Sequence, residues 1–263
     1  MVQVHEILEN LPTGTFVLDL GCDEGSFSGN ATAAHVIRVD RDRPSKRKSG
    51  ENFVQADAAK LPFADHCFAA VISNHSLEHF DDFTGALAEI GRITSPDGSL
   101  FVAVPDASTL TDKIYRWLAS GGGHVNAFVS GAKTAALIEQ AAALPLVATK
   151  TLCSSLSFLN RRNSPRPIPR RLWLLGGGYE WSLFLYVWLS RRLDRALGTR
   201  TSVYGWAFYF GRVERPVDTD TWVNVCIRCG SGCPAGSITA RSAVPGLAIW
   251  HCTNCGASNP FTG

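Results

Sequence analysis

Two short segments near the end of the chain, CIRCG (226–230) and CTNCG (252–256), each present a pair of cysteines across a tight turn, and 22 residues separate the inner two. A glycine directly after each pair admits the positive φ that such a turn needs. Two turns of two thiolates give a tetrahedral four-sulfur site suited to Zn2+, and a four-thiolate iron centre fits the same ligands. Cys226, Cys229, Cys252 and Cys255 are the expected ligands, whereas Cys233 and His251 are expected to stay outside the site. Five of the eight cysteines lie in the last forty residues. A secreted disulfide framework spreads its cysteines more evenly, so the clustering points to metal ligation in a reducing, cytoplasmic compartment.

A second constellation occupies the first eighty residues. FVLDLG (16–21) is a short apolar run that ends in a G-x-x-x-G loop, Gly21 to Gly25, with a helix expected after it. The loop alone is a weak signal, since it lacks the Lys-Ser/Thr of a phosphate-cradling loop and the full dinucleotide fingerprint. The next apolar run, AHVIRVD (34–40), ends in Asp40, placed to accept two hydrogen bonds from a ribose diol. NFVQAD (52–57) ends in Asp57, an acceptor suited to an adenine amino group. One glycine loop and two acids at successive strand ends describe a nucleoside pocket. His75, His79 and His124 are the candidate general bases. His75 follows the fourth apolar run, His79 sits in SLEHF, and His124 follows GGG (121–123), whose freedom suits a mobile lid. His5, His35 and His66 read as structural or surface residues.

The elements that position these residues alternate along the first 150 positions. Five buried runs (16–21, 34–40, 52–57, 67–74 and 98–105) read as strands, and Phe83, Leu87, Ile90 and Ile93 recur at helical spacing in 82–93. Strands buried on both faces with helical crossovers predict an α/β fold with a doubly wound, mostly parallel sheet. Ligands bind such sheets at the carboxyl ends of the strands, where the polar residues named above gather. Residues 111–119 and 131–144 read as helices, 146–159 as extended, and 202–214 as a strand that closes the sheet.

In order, FVLDLGCDEGSF, VIRVD, FVQADAAKLPF, FAAVISNHSLEHFDD, LAEIGRITSPDGSLFVAVPD and GGGHVNAF resemble the class I S-adenosylmethionine-dependent methyltransferases. The resemblance is closest to the group that includes ubiquinone- and menaquinone-pathway enzymes, and it covers roughly residues 1–150 and 202–214. It implies a Rossmann-like methyltransferase fold, with Asp19, Gly21, Cys22 and Gly25 around the methionine part of the cofactor. It further implies Asp40 and Arg41 at the ribose, Asp57 and Ala58 at the adenine, and Asn74 and His75 beside the sulfonium. One departure is Asp23, where many members have glycine. Its charge is expected to point outward or to meet the cofactor ammonium. Residues 216–263 resemble a zinc ribbon, a module too small to fold without its metal.

The remaining composition narrows the reading. The chain has 263 residues, 45% hydrophobic and 18% charged, with a net charge of +2. That excludes wholly disordered and collagen-like classes and gives no global nucleic-acid footprint. The N-terminus lacks the basic and long apolar stretches of a signal peptide. The expected organisation is a methyltransferase domain over 1–215, with an apolar and basic insertion near 160–200, followed by the small zinc ribbon over 216–263. Residues 172–189, flanked by Arg170, Arg171, Arg191 and Arg192, contain Glu180 and three glycines, so a membrane span is rejected. Two readings of this stretch stay open: a helix pair that caps the acceptor pocket, or a surface that touches membrane. Methyl transfer needs a base only when the acceptor is a weak nucleophile. The expected activity is transfer to a small-molecule or lipid-like acceptor. The alternatives are an RNA methyltransferase that uses the ribbon and the basic strip 38–48, or a non-catalytic binding protein that uses the ribbon to meet a protein partner. Nucleic acid fits less well, because the fourth strand reads ISNHSLEH and carries no N/D-P-P-Y/F motif.

Overall fold

In a computed structural model, the protein is described over residues 5–23, 25–43, 52–118, 123–163, 173, 176–213, 222–238, 241–244 and 247–261. The basic strip beyond 43, the arm at 164–171, the linker at 216–220, and Gly121 and Gly122 lie outside the described residues. A short helix, α1 (His5–Leu8), precedes strands β1 (Phe16–Leu20), β2 (His35–Asp40), β3 (Asn52–Gln55) and β4 (Phe68–Asn74). Helix α2 (Phe83–Ile93) leads directly into β5 (Thr94–Pro105), then α3 (Leu110–Leu118), α4 (Gly131–Ala142) and β6 (Leu146–Cys153). Helix α5 (Glu180–Leu197) precedes β7 (Val203–Gly211), and the C-terminal strands are β8 (Trp222–Val225), β9 (Gly232–Pro234), β10 (Arg241–Val244), β11 (Leu247–His251) and β12 (Ser258–Phe261).

The main sheet has the order β3-β2-β1-β4-β5-β7-β6-β8-β9. Its first five strands are parallel, and β7 runs antiparallel between β5 and β6. The mostly parallel sheet and the closing strand agree with the sequence expectation. β1 lies between β2 and β4, where the chain reverses its direction of travel across the sheet, and ligand crevices form at such a point. One face is covered by α2 and α4, which bury Leu87, Ile90, Ala135 and Ile138 against Leu18, Val71 and Val102. Asp82 caps α2 by accepting the Gly85 N–H, and Gly91 lets the helices approach closely, since a Cβ there would meet the Ala142 carbonyl at 2.6 Å. The opposite face packs Ile7, Leu8, Phe27 and Ala34 against Val17, Ile72 and Phe101.

Two local expectations are corrected. The segment after the glycine loop forms only a 3₁₀ turn, Gly29–Ala31, and not a helix. Polar ties hold it instead: Asp19 Oδ2 accepts the Ser26 N–H at 2.9 Å, and buried Arg38 donates to the Phe27 carbonyl at 2.7 Å. Among the described residues the apolar insertion contributes one α-helix where a pair was expected. Gly176, Gly177 and Gly178 adopt φ of +72°, +66° and +75°, a left-handed path that α-helix cannot continue. Among the described residues no helix is long and apolar enough to cross a membrane.

The cysteine-bearing segment is bonded to the rest of the fold. β8 extends the main sheet by pairing parallel to β6, with Thr151 opposite Trp222 and Leu152 opposite Val223. β10, β11 and β12 form a separate three-stranded antiparallel sheet. Arg228, inside the first C-x-x-C, grips Glu180 at the start of α5 at 2.6 and 3.0 Å. Arg191 donates from α5 to the Pro260 carbonyl at 2.5 Å, and Asn160 Nδ2 to the Ile227 carbonyl at 3.0 Å.

Candidate functional site

At the carboxyl ends of β1, β2 and β4 lies a cleft of about 510 Å³, lined by Gly21, Asp40, Asp57, Ala58, His75 and His79 among others. Asp40 and Asp57 therefore face one common space. Asp40 Oδ2 accepts the Asp23 N–H at 2.9 Å and Oδ1 the Asp42 N–H at 3.1 Å, so each oxygen keeps a second lone pair. Asp57 is exposed, and its Oδ1 accepts the Ala59 N–H at 2.9 Å. Gly21, at φ +67°, must be glycine, because a Cβ there would lie 2.3 Å from Ser76 Cβ. Asp23 adopts φ +43° with its side chain exposed. Arg41 stands at the rim of this cleft and pairs with Asp81 at 2.8 Å.

Asp19 and Cys22 line neither this cleft nor the cavity described next. Both are buried. Burial pushes the Asp19 carboxyl up to about 6 against the Ser26 hydrogen bond and the Arg38 charge, and its Oδ1 has no hydrogen-bond partner. Burial, reinforced by Asp19 and Asp40, raises the Cys22 thiol to about 12, which keeps it an inert thiol.

A second cavity of about 340 Å³ lies on the other side of His75. Gly25, Ser26, Asn74 and His75 border it on the loop side, Phe101 and Ala207 form part of its floor, and Gly230 of the first cysteine turn and Gly232 of β9 border it opposite. His75 lines both spaces. It directly follows β4 at φ +53°, an unfavourable conformation for a side chain with Cβ, and its N–H donates to the Ala103 carbonyl at 2.9 Å. Its ring packs 5.0 Å from Tyr204, and its Nδ1 has no hydrogen-bond partner. Burial, with His124 and His79 nearby, pushes its pKa down to about 4, so it is a neutral imidazole at pH 7. The Asn74 Oδ1 beside it is also unpartnered.

Behind His75 the chain gathers polar groups that sequence reasoning only half anticipated. The 3₁₀ turn Leu77–His79 carries Glu78, 1% exposed, whose Oε1 lies 3.8 Å from His75 Nδ1. Burial pushes Glu78 up to about 8, and Asp112 adds to the shift. His79 Nδ1 bonds the Gly123 carbonyl at 3.0 Å, and its ring stands edge-on to that of His124 at 4.8 Å. His124 Nδ1 faces Asp112 Oδ1 at 3.3 Å, and Arg116 holds the other oxygen of Asp112 at 2.5 Å. The segment after the glycines is clamped: the Val125 and Asn126 N–H groups donate to the Glu78 carbonyl at 2.8 and 3.0 Å. The Asn126 side chain adds bonds to the Leu77 and Phe80 carbonyls. Glu78 adjoins His79, and Asp112 and Arg116 sit four apart on one helix, so these had local signals. Tyr204 had none, since it enters from β7.

At the C-terminus, the sulfur atoms of Cys226, Cys229, Cys252 and Cys255 all lie within 4.8 Å of one another. The Cys226–Cys255 and Cys229–Cys252 separations are each 3.6 Å. A tetrahedral ion with metal–sulfur bonds of about 2.3 Å holds its sulfurs about 3.8 Å apart, whereas a disulfide needs about 2.05 Å. Burial raises the Cys229 thiol, but hydrogen bonds from Ser231 and Asn254 outweigh it and hold the thiol to about 6. Cys233 bonds Ser237 and His251 bonds Ser258, so both stay outside the cluster.

Residues 18–102 match the family model described as a methyltransferase domain. The chain is 32% identical over 126 residues to an uncharacterised methyltransferase of Mycobacterium tuberculosis, covering 42% of this chain and 63% of that one. It is 30% identical over 120 residues to the tRNA (carboxymethyluridine(34)-5-O)-methyltransferase of Arabidopsis thaliana, covering 41% of this chain and 30% of that one. The chain thus spans less than two thirds of the length of these relatives. A solved structure from Anabaena variabilis, described as a methyltransferase from an antibiotic biosynthesis pathway, superposes with a TM-score of 0.50 at 17% identity, over 77% of this chain and 93% of that one. The sheet order, the strand-end cleft and the family match at its centre together show a Rossmann-like α/β fold that carries a methyltransferase domain over residues 18–102.

Proposed function

We propose that this protein transfers a methyl group from S-adenosylmethionine to an oxygen of a small, largely apolar acceptor. The observation that carries the reading is the meeting of two spaces at His75: the cleft with Asp40 and Asp57 on one side, the 340 Å³ cavity on the other. When bound, the cofactor supplies an activated methyl carbon for in-line displacement. Asp40 offers its free lone pairs to the ribose hydroxyls, and Asp57 with Ala58 borders the adenine. Asp19, buried behind the loop, positions it by accepting the Ser26 N–H, and the unpartnered Asn74 Oδ1 suits the positive charge of the sulfur. Gly21 lets the backbone come close, and Gly25 and Ser26 join the cofactor loop to the acceptor cavity. His75, a neutral imidazole that lines both spaces, is the candidate acceptor of the proton of an acceptor hydroxyl, while its Nδ1 faces Glu78 behind it. His79 and His124 stand behind it as positioning residues.

The acceptor cavity is bounded by Leu152, Leu156, Phe158 and Val223, with Ser154, Ser155 and Tyr204 as polar groups. Among the described residues no lysine or arginine lines it. Those walls favour an apolar body with a hydroxyl or carboxyl group over a phosphate backbone. RNA, the substrate class in the name of the Arabidopsis relative, is therefore the second reading. The four cysteines are proposed to bind Zn2+ and, through Gly230 and Gly232, to hold one wall of the acceptor cavity. The apolar stretch enters the first half of α5, which packs Leu183 against Leu156 and Leu159 behind that cavity. The test is transfer of labelled methyl from S-adenosylmethionine into cell extracts that lack the protein. Label in the organic-extractable fraction supports the proposal, whereas label confined to RNA replaces it with the second reading.

A further inference from the structure

The polar cluster behind His75 holds more than a methyl-transfer base needs. One donor atom each from Glu78, His79 and His124 lies within 4.8 Å of the others. Bonds of about 2.1 Å to a single ion set donors roughly 3.0–3.5 Å apart, so small side-chain rotations close the set. His79 Nδ1 bonds the Gly123 carbonyl at 3.0 Å, which fixes its tautomer and leaves Nε2 as the lone-pair donor, the arrangement by which carbonyls prepare metal-binding imidazoles. His124 Nδ1 lies 3.3 Å from Asp112 Oδ1 with no hydrogen bond formed, so a carboxylate stands ready to orient this ring as well. Arg116 anchors Asp112 in turn. Glu78 is 1% exposed, and its Oε2 has no partner in the protein. A buried carboxyl with an unpartnered oxygen beside two imidazoles is a group that a bound cation would satisfy. The backbone clamp between 123–126 and the 77–80 turn brings His124 to this place from 45 residues beyond His79.

We infer that Glu78, His79 and His124 form a second metal site, separate from the four cysteines, for a divalent transition-metal ion. Two imidazoles and a carboxylate select first-row ions of borderline softness and leave coordination positions open. Next to His75, those positions suit an oxygen of the acceptor. Only this last step rests on the proposed methyl transfer; metal binding stands by itself.

The test uses the full-length protein, loaded with one equivalent of Zn2+ and then titrated with Co2+. The expected result is uptake of one further equivalent, with a weak visible band and no sulfur-to-metal charge transfer. Glu78→Gln and His124→Ala abolish that band, and Asp112→Asn weakens binding roughly 10- to 100-fold. Thermal melts show whether each variant is folded, and the near-isosteric Glu78→Gln serves if His124→Ala is not. A sulfur charge-transfer band would mean that Co2+ sits at the cysteines and that the second site is unfilled, which counts against the inference. No uptake by the zinc-loaded wild type, or uptake unchanged in both folded variants, overturns it. Because the readout is metal binding, its failure leaves the methyltransferase reading intact, and loss of S-adenosylmethionine binding would leave this site intact.

Discussion

Removing the Asp40 carboxylate should weaken binding of S-adenosylhomocysteine more than any other single change at the cleft. Asp40 already accepts the Asp23 and Asp42 N–H groups, one on each oxygen, so each oxygen has one lone pair left for a ribose hydroxyl. A hydrogen bond to a charged group contributes about 1.5–3 kcal/mol. Asp40 is half-buried, so the lower figure applies to each bond. Asp40→Ala then loses about 3 kcal/mol, or roughly 100-fold in Kd. Asp40→Asn keeps one acceptor oxygen but turns an NH2 toward either a backbone N–H or a ribose hydroxyl, and should lose roughly 10-fold. Calorimetric titration of wild type and both variants measures the series directly, with thermal melts to confirm folding. Affinity of folded Asp40→Ala within threefold of wild type would refute the assignment of the ribose to this carboxylate.

Three further outcomes follow from other contacts. Asp19 has its pKa raised from 3.8 to about 6 by burial, so the folded state binds more protons than the unfolded state between those values. Its contribution is fully present below about pH 4 and is lost as pH rises through 6, by roughly 3 kcal/mol in all. Urea titrations should show that fall in wild type and not in Asp19→Asn; equal pH slopes would contradict the burial argument. His75 sits at φ +53°. His75→Gly should accordingly be about 1 kcal/mol more stable than His75→Ala in denaturant titrations, while both lose methyl transfer to a hydroxyl acceptor. Stripping metal from the four cysteines should raise amide exchange across 222–238 and along the β6 edge that β8 covers. Unchanged exchange at β6 after chelation would show that the cysteine turns do not support that wall.

The parts legible in the sequence were those whose signal is local. Phe16–Leu20 and Phe68–Asn74 read as buried strands because both faces are covered and their runs are apolar. Asp40 and Asp57 were visible because a parallel strand that ends in an acid places it at the ligand edge. The four cysteines were visible because ligand spacing is set by a turn. What stayed hidden depended on pairing between distant segments. Nothing in Thr151 and Leu152 announces that Trp222 and Val223 will lie beside them, so the join between the cysteine segment and the main sheet was not foreseen. Tyr204 reaches His75 only because β7 inserts antiparallel between β5 and β6. The missing helix after Gly25 reflects buried Arg38 and Asp19, whose ties to Ser26 and Phe27 replace a helical hydrogen-bond ladder.

A crystal structure with S-adenosylhomocysteine bound is the most direct measurement. The expected result is the ribose hydroxyls within hydrogen-bond distance of Asp40, the adenine beside Asp57 and Ala58, and the sulfur turned toward Asn74 and His75, facing the second cavity. A ligand seated elsewhere, or a cleft that stays empty at saturating ligand in a well-ordered crystal, contradicts the account.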